Sequence, residues 1–399
     1  MKNIDYIENK IELEETYIVK VKDYIKKMFS SKNQSKNILP YNIHVNDVFN
    51  MLKDVVTNEN GDEYLVFFNY EFVLCLIELG VTPNRITYIA NHNDSYLLTR
   101  DGMAGRSGMR TILFDKTTYK KYSKRKQWKQ YIMNKLNGKN DFIVVGNIPF
   151  TINNGVSDNS IKIGDEFIKL INCLAKKACY ILPAKYDKKT FINELILNPF
   201  LKKIVHHKKR LFDINASVLT CHVLLDNSKK SNEFEYCTNI DGKSLVLTKS
   251  KDLKLASDLD FVSTLNNSKK NLGDLWKRGK KYTSQLSGKG QYKVITALGS
   301  HKTKDFEYTM DNEENATIGK WKIILPLNGG GRALKIASPE FSVAYNVVAL
   351  EVNSKKELDR LFKWCMEIDL PSLLNKLRTG GPSNNKSLLS KIELPDGII

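Results

Sequence analysis

A continuous apolar run, Phe142-Ile143-Val144-Val145-Gly146, ends in Asn147-Ile148-Pro149-Phe150. Its length and β-branched content predict a buried strand. The residues that follow bring together a carboxamide oxygen, a peptide carbonyl and an aromatic face. In open α/β sheets, ligands bind in the crevice outside the carboxyl ends of the strands. Such a set accepts hydrogen bonds and stacks on a flat ring, but it holds no strong base. It suits a reaction driven by positioning and electrostatics. A strand-to-loop turn that contains proline by chance reads the same over these four residues.

The elements that must position this segment alternate. Tyr64–Phe68 reads as a strand, Phe72–Leu79 as a helix closed by Gly80, and Arg85–Ala90 and Thr111–Phe114 as further strands. Asp165–Lys177 reads as a helix, and Cys179–Leu182 as a strand stopped by Pro183. Strands separated by helices at this spacing predict an α/β fold with a doubly wound, mostly parallel sheet. Lys203–Leu211 and Val218–Leu225 follow as an antiparallel hairpin. Before the sheet, Ile4, Ile7, Ile11, Tyr17, Val21, Ile25 and Met28 lie on one helical face. Ser30–Asn37 is a polar linker, and Val45–Val56 a second helix. After Asp226 the composition turns to Lys, Ser and Asn, and Trp276, Tyr282, Tyr292, Trp321 and Tyr345 punctuate short strands. The expected organisation is an N-terminal helical arm over 1–37, a catalytic domain over 38–230 and a second α/β domain over 231–399.

The 399 residues carry 62 Lys+Arg against 44 Asp+Glu, a net charge of +18, which favours a polyanionic partner. An AT-rich genome, which encodes Lys and Asn freely, would produce the same excess. The six cysteines, Cys75, Cys173, Cys179, Cys221, Cys237 and Cys365, show no zinc spacing and read as free thiols in a reducing compartment. His206, His207 and His222 read as helpers on a basic surface rather than metal ligands. No run is long and apolar enough for a membrane span, and the N-terminus lacks a signal core, so a soluble cytoplasmic protein is expected.

The segment Asn147-Ile148-Pro149-Phe150 at the end of a strand resembles the Asn/Asp-Pro-Pro-Tyr/Phe motif of the N6-adenine DNA methyltransferases of restriction–modification systems and phages. The likeness is detailed over 142–150. In outline it extends over 40–395, through Tyr180-Ile181-Leu182-Pro183, the basic hairpin and Lys320–Pro326. It implies a Rossmann-like domain that takes S-adenosylmethionine, followed by a DNA target-recognition domain. It implies that Asn147 and the Pro149 carbonyl accept the two hydrogens of adenine N6, and that Phe150 stacks on a base rotated out of the duplex. Ile148 departs from the pattern, since a proline there would restrict Asn147.

The same resemblance places the cofactor against the ends of the first strands. The family's glycine-rich turn corresponds to Leu65–Phe72, which contains no glycine. Asn69 and Glu71 become candidates for the cofactor's ammonium end, with capping of the following helix as the competing role. Asn91 stands where related folds bind the ribose hydroxyls with an acid, and Asp115 where the cofactor's adenine amino group is met. Candidate DNA contacts are Lys124, Arg125 and Lys126, the run Lys208, Lys209 and Arg210, Arg332 beside three glycines, and Lys386 after Thr379–Asn385. Solvated faces and tight turns would look identical. The implied partners are double-stranded DNA and a cognate restriction endonuclease. A methyltransferase-shaped DNA-binding protein without catalytic power, or an enzyme acting on RNA adenine, stands as the alternative. The loop Thr151–Gly164 is expected to close over the extruded base.

Overall fold

The computed structural model describes residues 45–56, 61–91, 108–122, 127–148, 151–153, 160–162, 164–186, 188–207, 219–239, 243–264, 269–278, 292–297, 306–310, 318–327, 334–344, 346–378 and 384–399. The expected N-terminal helix and linker fall outside them, as do Pro149, Phe150, Lys124–Lys126, Lys208–Arg210 and Arg332. Two compact units emerge. The first comprises the chain up to Leu182 together with 211–214 and His222–Lys230, and the second comprises the remainder.

In the first unit, α1 (Val45–Leu52) precedes β1 (Tyr64–Phe67), α2 (Tyr70–Glu78), β2 (Ile86–Ala90) and β3 (Arg110–Leu113). Then come α3 (Lys116–Tyr122), α4 (Gln127–Lys135), β4 (Phe142–Asn147), β5 (Thr151–Asn153), β6 (Ser160–Lys162), α5 (Gly164–Leu174) and β7 (Ala175–Pro183). Strands β7, β4, β1, β2 and β3 lie side by side in that order, all parallel. All residues of β1, β2 and β4 are buried, as both-face burial requires, whereas β3 at the edge is partly open. One face sends Tyr64, Val66, Tyr88, Ile143, Val145, Cys179 and Ile181 into a core shared with α1 and α2. Phe67, of opposite parity on β1, packs edge-on against Phe167 of α5. Helices thus cover both faces.

Two boundaries differ from expectation. Helix α5 ends at Leu174, and the chain is already in strand register with β4 at Ala175. Lys176 and Lys177 belong to that strand; Lys176 pairs with the buried Asp62, and its carbonyl accepts from Asn227 N–H at 2.8 Å. The expected loop over 151–164 carries an antiparallel hairpin of β5 and β6.

In the second unit, a short helix α6 (Lys189–Phe191) and a π-helical turn (Ile192–Ile196) lead to β8 (Leu201–His207), and β9 (Thr220–Asp226) begins there. β10 (Glu233–Thr238) runs parallel to β8, and β11 (Ser244–Thr248) antiparallel to β10. Beyond the short pair β12 (Leu253–Lys254) and β13 (Ser263–Thr264) come β14 (Trp276–Arg278), β15 (Tyr292–Ala297), β16 (Phe306–Met310), β17 (Trp321–Pro326), β18 (Lys335–Ala337), β19 (Phe341–Val343) and β20 (Val347–Val352). β14-β20-β17-β18 form an antiparallel sheet whose Ile323, Leu325, Val348 and Leu350 share a core with α7 (Lys355–Glu367), α8 (Leu370–Leu377) and α9 (Lys386–Leu389).

His206, His207 and His222 are buried, which corrects their expected place on a basic surface. His206 Nδ1 meets the Tyr186 hydroxyl at 2.8 Å, and His207 Nδ1 meets Thr220 Oγ1 at 2.9 Å. Those partners satisfy ring nitrogens that could not otherwise leave water cheaply. Among the described residues, no group of His, Cys, Asp and Glu could hold a metal ion, and no helix is long and apolar enough to cross a membrane.

Candidate active site

Because β4, β1, β2 and β3 are parallel, their carboxyl ends open on one edge of the sheet. Asn147 ends β4, Asn69 follows β1 by two residues, Asn91 follows β2 directly, and Asp115 follows β3 by two. The fold therefore brings all the described catalytic and cofactor candidates to the same edge. Lys386 lies in the second unit, exposed at the start of α9.

Gly146 decides how closely β4 can approach β1. It lies opposite Phe67 in the ladder with φ of 144°. A Cβ at Gly146 would come within 2.8 Å of the Phe67 nitrogen and closer still to the Phe67 carbonyl oxygen. Only glycine fits there. One residue on, Asn147 is 5% exposed, and its Oδ1 finds no donor among the described residues. Burying an amide oxygen without a donor costs roughly 1–3 kcal/mol. Ile148, where the resemblance has its first proline, is fully packed. It is a core residue.

The end of β1 departs from expectation. The strand stops at Phe67, and Phe68 takes φ of 66°. A left-handed conformation costs a residue with a side chain about 1–2 kcal/mol. Asn69 N–H donates to Phe67 O at 2.9 Å, closing a three-residue γ-turn of the rarer, positive-φ hand. Phe68 N–H meanwhile continues the ladder to Ile89 O at 3.0 Å. The Phe68 ring is buried against Phe67, Phe114 and Phe167, with centroids 5.6, 6.2 and 5.4 Å away. On the other side, Tyr88 of β2 donates its hydroxyl to Phe68 O at 3.1 Å.

This turn delivers Asn69 to the N-cap position of α2 with no side-chain cap bond. The Asn69 amide nitrogen instead donates to Glu71 Oε2 at 3.3 Å. The Glu71 side chain is buried, which pushes its carboxyl above the ordinary 4.5, opposed by its own backbone N–H and by Asn69. No lysine or arginine among the described residues pairs with it. Asn91 is likewise buried. Asp115 Oδ1 accepts from Thr118 N–H at 2.8 Å, so one carboxylate oxygen caps the first turn of α3.

Sequence reasoning missed Phe68 and Tyr88. Nothing in the run Leu65–Phe72 marks a left-handed residue, and Tyr88 sits inside an unremarkable apolar strand. Gly146 carries a signal, as a glycine ending a buried apolar run, but the run alone does not show that β1 approaches it so closely.

No protein-family model matches the sequence, and no curated protein does. Among solved structures, the chain is similar to the type IIL restriction-modification enzyme MmeI in complex with DNA, at 8% identity and a TM-score of 0.50, over 88% of this chain and 66% of that one. It is similar to the type IIG restriction endonuclease BpuSI at 9% identity and a TM-score of 0.41, over 92% of this chain and 59% of that one. A methyltransferase subunit of a type I restriction-modification system from Streptococcus thermophilus matches at 13% identity and a TM-score of 0.40, over 56% and 53% of the two chains. The chain spans about half to two thirds of the length of these structures. At such identities the likeness is one of fold: the chain has a mixed α/β, Rossmann-like architecture around a large, mostly parallel sheet.

Proposed function

We propose that the protein is an S-adenosylmethionine-dependent DNA methyltransferase that modifies N6 of an adenine turned out of the duplex. The observation that carries this reading is the Asn147 Oδ1, buried at the end of β4 and lacking a donor among the described residues. Native interiors rarely leave such a group empty; strain, an ordered water, a bound ion or a catalytic role accounts for it where they do, and the place of Asn147 at a strand end in the crevice edge of the sheet favours the catalytic role.

The residues present fit the cofactor. Glu71, buried and with no cation paired to it among the described residues, can take an ammonium group, held in place by Asn69. Asn91 and Asp115, whose second oxygen has no hydrogen bond among the described residues, lie at the next two strand ends, where ribose and base would be met. When bound, the cofactor supplies an electrophilic methyl group on sulfur. Asn147 Oδ1 accepts one hydrogen of the target amine, and the Pro149 carbonyl accepts the other. Two acceptors aimed at one nitrogen favour a pyramidal centre whose lone pair is no longer delocalised into the ring. No base need act first, and the contribution is positioning plus electrostatics in a water-poor site. Phe150 offers the stacking face for the extruded base. The net charge of +18, with Lys124–Lys126, Lys208–Arg210, Arg332 and Lys386, supports an anionic duplex as partner and the 231–399 region as its reader. A cognate endonuclease belongs to the same reading.

The second reading is a DNA-binding protein of the same shape that takes no cofactor, and the observation in its favour is Phe68 in a turn that lacks glycine. Incubation with methyl-labelled cofactor and mixed-sequence DNA, followed by nucleoside identification, tests both. Labelled N6-methyladenine supports the proposal. Absence of saturable cofactor binding favours the second reading, and preferential labelling of RNA in competition moves the substrate.

A further inference from the structure

We infer that Tyr88 is a positioning residue for the cofactor end of this site: its hydroxyl clasps the Phe68 carbonyl and so fixes the strained turn that presents Asn69 and Glu71. The inference rests on the proposed function for the identity of the ligand, but the clasp itself does not.

A bulky residue at positive φ persists only where its surroundings over-determine it. Four contacts do so at Phe68. Its N–H is held by Ile89 O, the following N–H is held by Phe67 O, its ring is fixed among Phe67, Phe114 and Phe167, and its carbonyl is held by Tyr88. The first two are backbone hydrogen bonds and the third is the packing of a whole ring, so none of them can be removed by deleting a single atom. The fourth is one hydroxyl group on a ring that is itself fully buried and packed edge-on against Tyr70, at 5.6 Å. A buried tyrosine oxygen keeps its place by having a partner, and here that partner is the peptide that would otherwise be free to swing.

The turn has a direct consequence one residue later. A helix that begins at Tyr70 would ordinarily use Asn69 as its cap. The turn sets Asn69 at φ of −102° with its side chain directed to Glu71, leaving the cap bond unmade. In related architectures the backbone freedom at such a turn comes from glycine. Here an aromatic plug and a hydroxyl clasp impose the conformation from outside. Loosening the clasp should therefore let Asn69 fall back into capping, separate it from Glu71, and weaken the grip on a cationic ligand without touching Asn147.

The test is Tyr88→Phe in the full-length protein, with two readouts. Amide hydrogen exchange at Asn69, measured without ligand, should accelerate about tenfold or more while the β4 amides keep their protection. Titration with S-adenosylmethionine should show Kd weakened about tenfold, with single-turnover methyl transfer at saturating cofactor within about twofold of wild type. Unchanged exchange at Asn69 overturns the clasp. Faster exchange with unchanged Kd overturns the positioning role. A wild-type protein that shows no saturable binding overturns the proposed function, and the exchange measurement still decides the clasp. Should Tyr88→Phe lower the fraction folded, Phe68→Ala provides the second variant: it removes the aromatic plug, keeps the Cβ and with it the strain of the left-handed conformation, keeps the Tyr88 hydroxyl, and it too should accelerate exchange at Asn69 and weaken Kd.

Discussion

Gly146 and Phe67 face each other across β4 and β1 so closely that no side chain fits between them. The obstruction is backbone on both sides, at the nitrogen and carbonyl of Phe67, so a rotamer change cannot relieve it. Gly146 also holds φ of 144°, which residues with side chains seldom adopt. Gly146→Ala should therefore lose roughly 2–4 kcal/mol of stability, the range of overpacking plus backbone strain. Urea unfolding checks this, and a midpoint within error of wild type would show that the strands can part at no cost.

Asn147 makes the opposite prediction. Its Oδ1 has no donor to lose among the described residues, so Asn147→Ala should leave the unfolding midpoint close to wild type. Methyl transfer should fall by about a hundredfold or more, the scale seen when one pre-positioned polar group is removed from a reacting centre. DNA affinity measured by anisotropy should hardly change. A stability loss comparable to that of Gly146→Ala would make Asn147 a structural residue.

What the sequence made legible follows from the type of signal. β1, β2 and β4 are buried on both faces, so their apolar runs were unbroken and their positions clear. The start of β7 was hidden because Lys176 and Lys177 look like the polar end of a helix, and the acid that Lys176 meets, Asp62, lies 114 residues earlier. The burial of His206 and His207 was hidden for the same reason: Tyr186 and Thr220, which meet their Nδ1 atoms, are 20 and 13 residues away. Of the candidate site, Asn147, Asn69, Glu71, Asn91 and Asp115 were named on the family resemblance, and they lie at the ends of β4, β1, β2 and β3. Their individual duties depend on side-chain direction, which no spacing encodes. Asp115 is the clear case, since half of its carboxylate is committed to a helix cap.

Glu71 predicts a pH dependence. Burial raises its carboxyl in the folded protein above the ordinary 4.5. Across the interval between those two values the folded state binds more proton than the unfolded state, so stability falls as pH rises through it. The contribution is complete below about 4.5 and gone above the folded value. Glu71→Gln should flatten that slope, stabilise the protein at neutral pH and weaken binding of a cationic ligand. Thermal midpoints of both proteins from pH 4 to 8 give the comparison, and parallel curves would mean that Glu71 is solvated.

Lys322 carries a second, independent test in the antiparallel sheet. The residue is fully buried, and its Nζ donates to Lys320 O at 2.6 Å, Phe341 O at 2.7 Å and Ser338 O at 3.4 Å. Burial lowers its ammonium to about 8, with Glu351 across the strand pair acting against the shift. Between about 8 and 10.5 the unfolded chain keeps a proton that the folded chain has released, so this lysine makes stability rise with pH over that window. Lys322→Met should remove that rise. It should also cost roughly 3 kcal/mol at neutral pH, because three carbonyls lose their donor and Glu351 is left, among the described residues, with only Lys277 and Lys320 to offset its charge. Adding Glu351→Leu should recover part of the loss, and strictly additive effects would show that the two side chains do not interact.

The proposed duplex partner makes the last prediction. Binding that runs through phosphate contacts releases counterions, and each neutralised phosphate adds about 0.9 to the slope of log affinity against log salt. An excess of 18 positive charges can produce a steep slope only if the charges are gathered where a duplex lies. Spread evenly, they would attract DNA at low salt and make few contacts. Replacing Lys124, Arg125 and Lys126 together with glutamine should lower the slope by up to about 3 if all three meet phosphates, and should weaken binding to all sequences alike. Lys386→Gln, at the exposed start of α9, should lower it by about 1 if that helix faces the backbone. A wild-type slope near zero would remove the duplex from the proposed function, and the basic residues would then be a solvated surface.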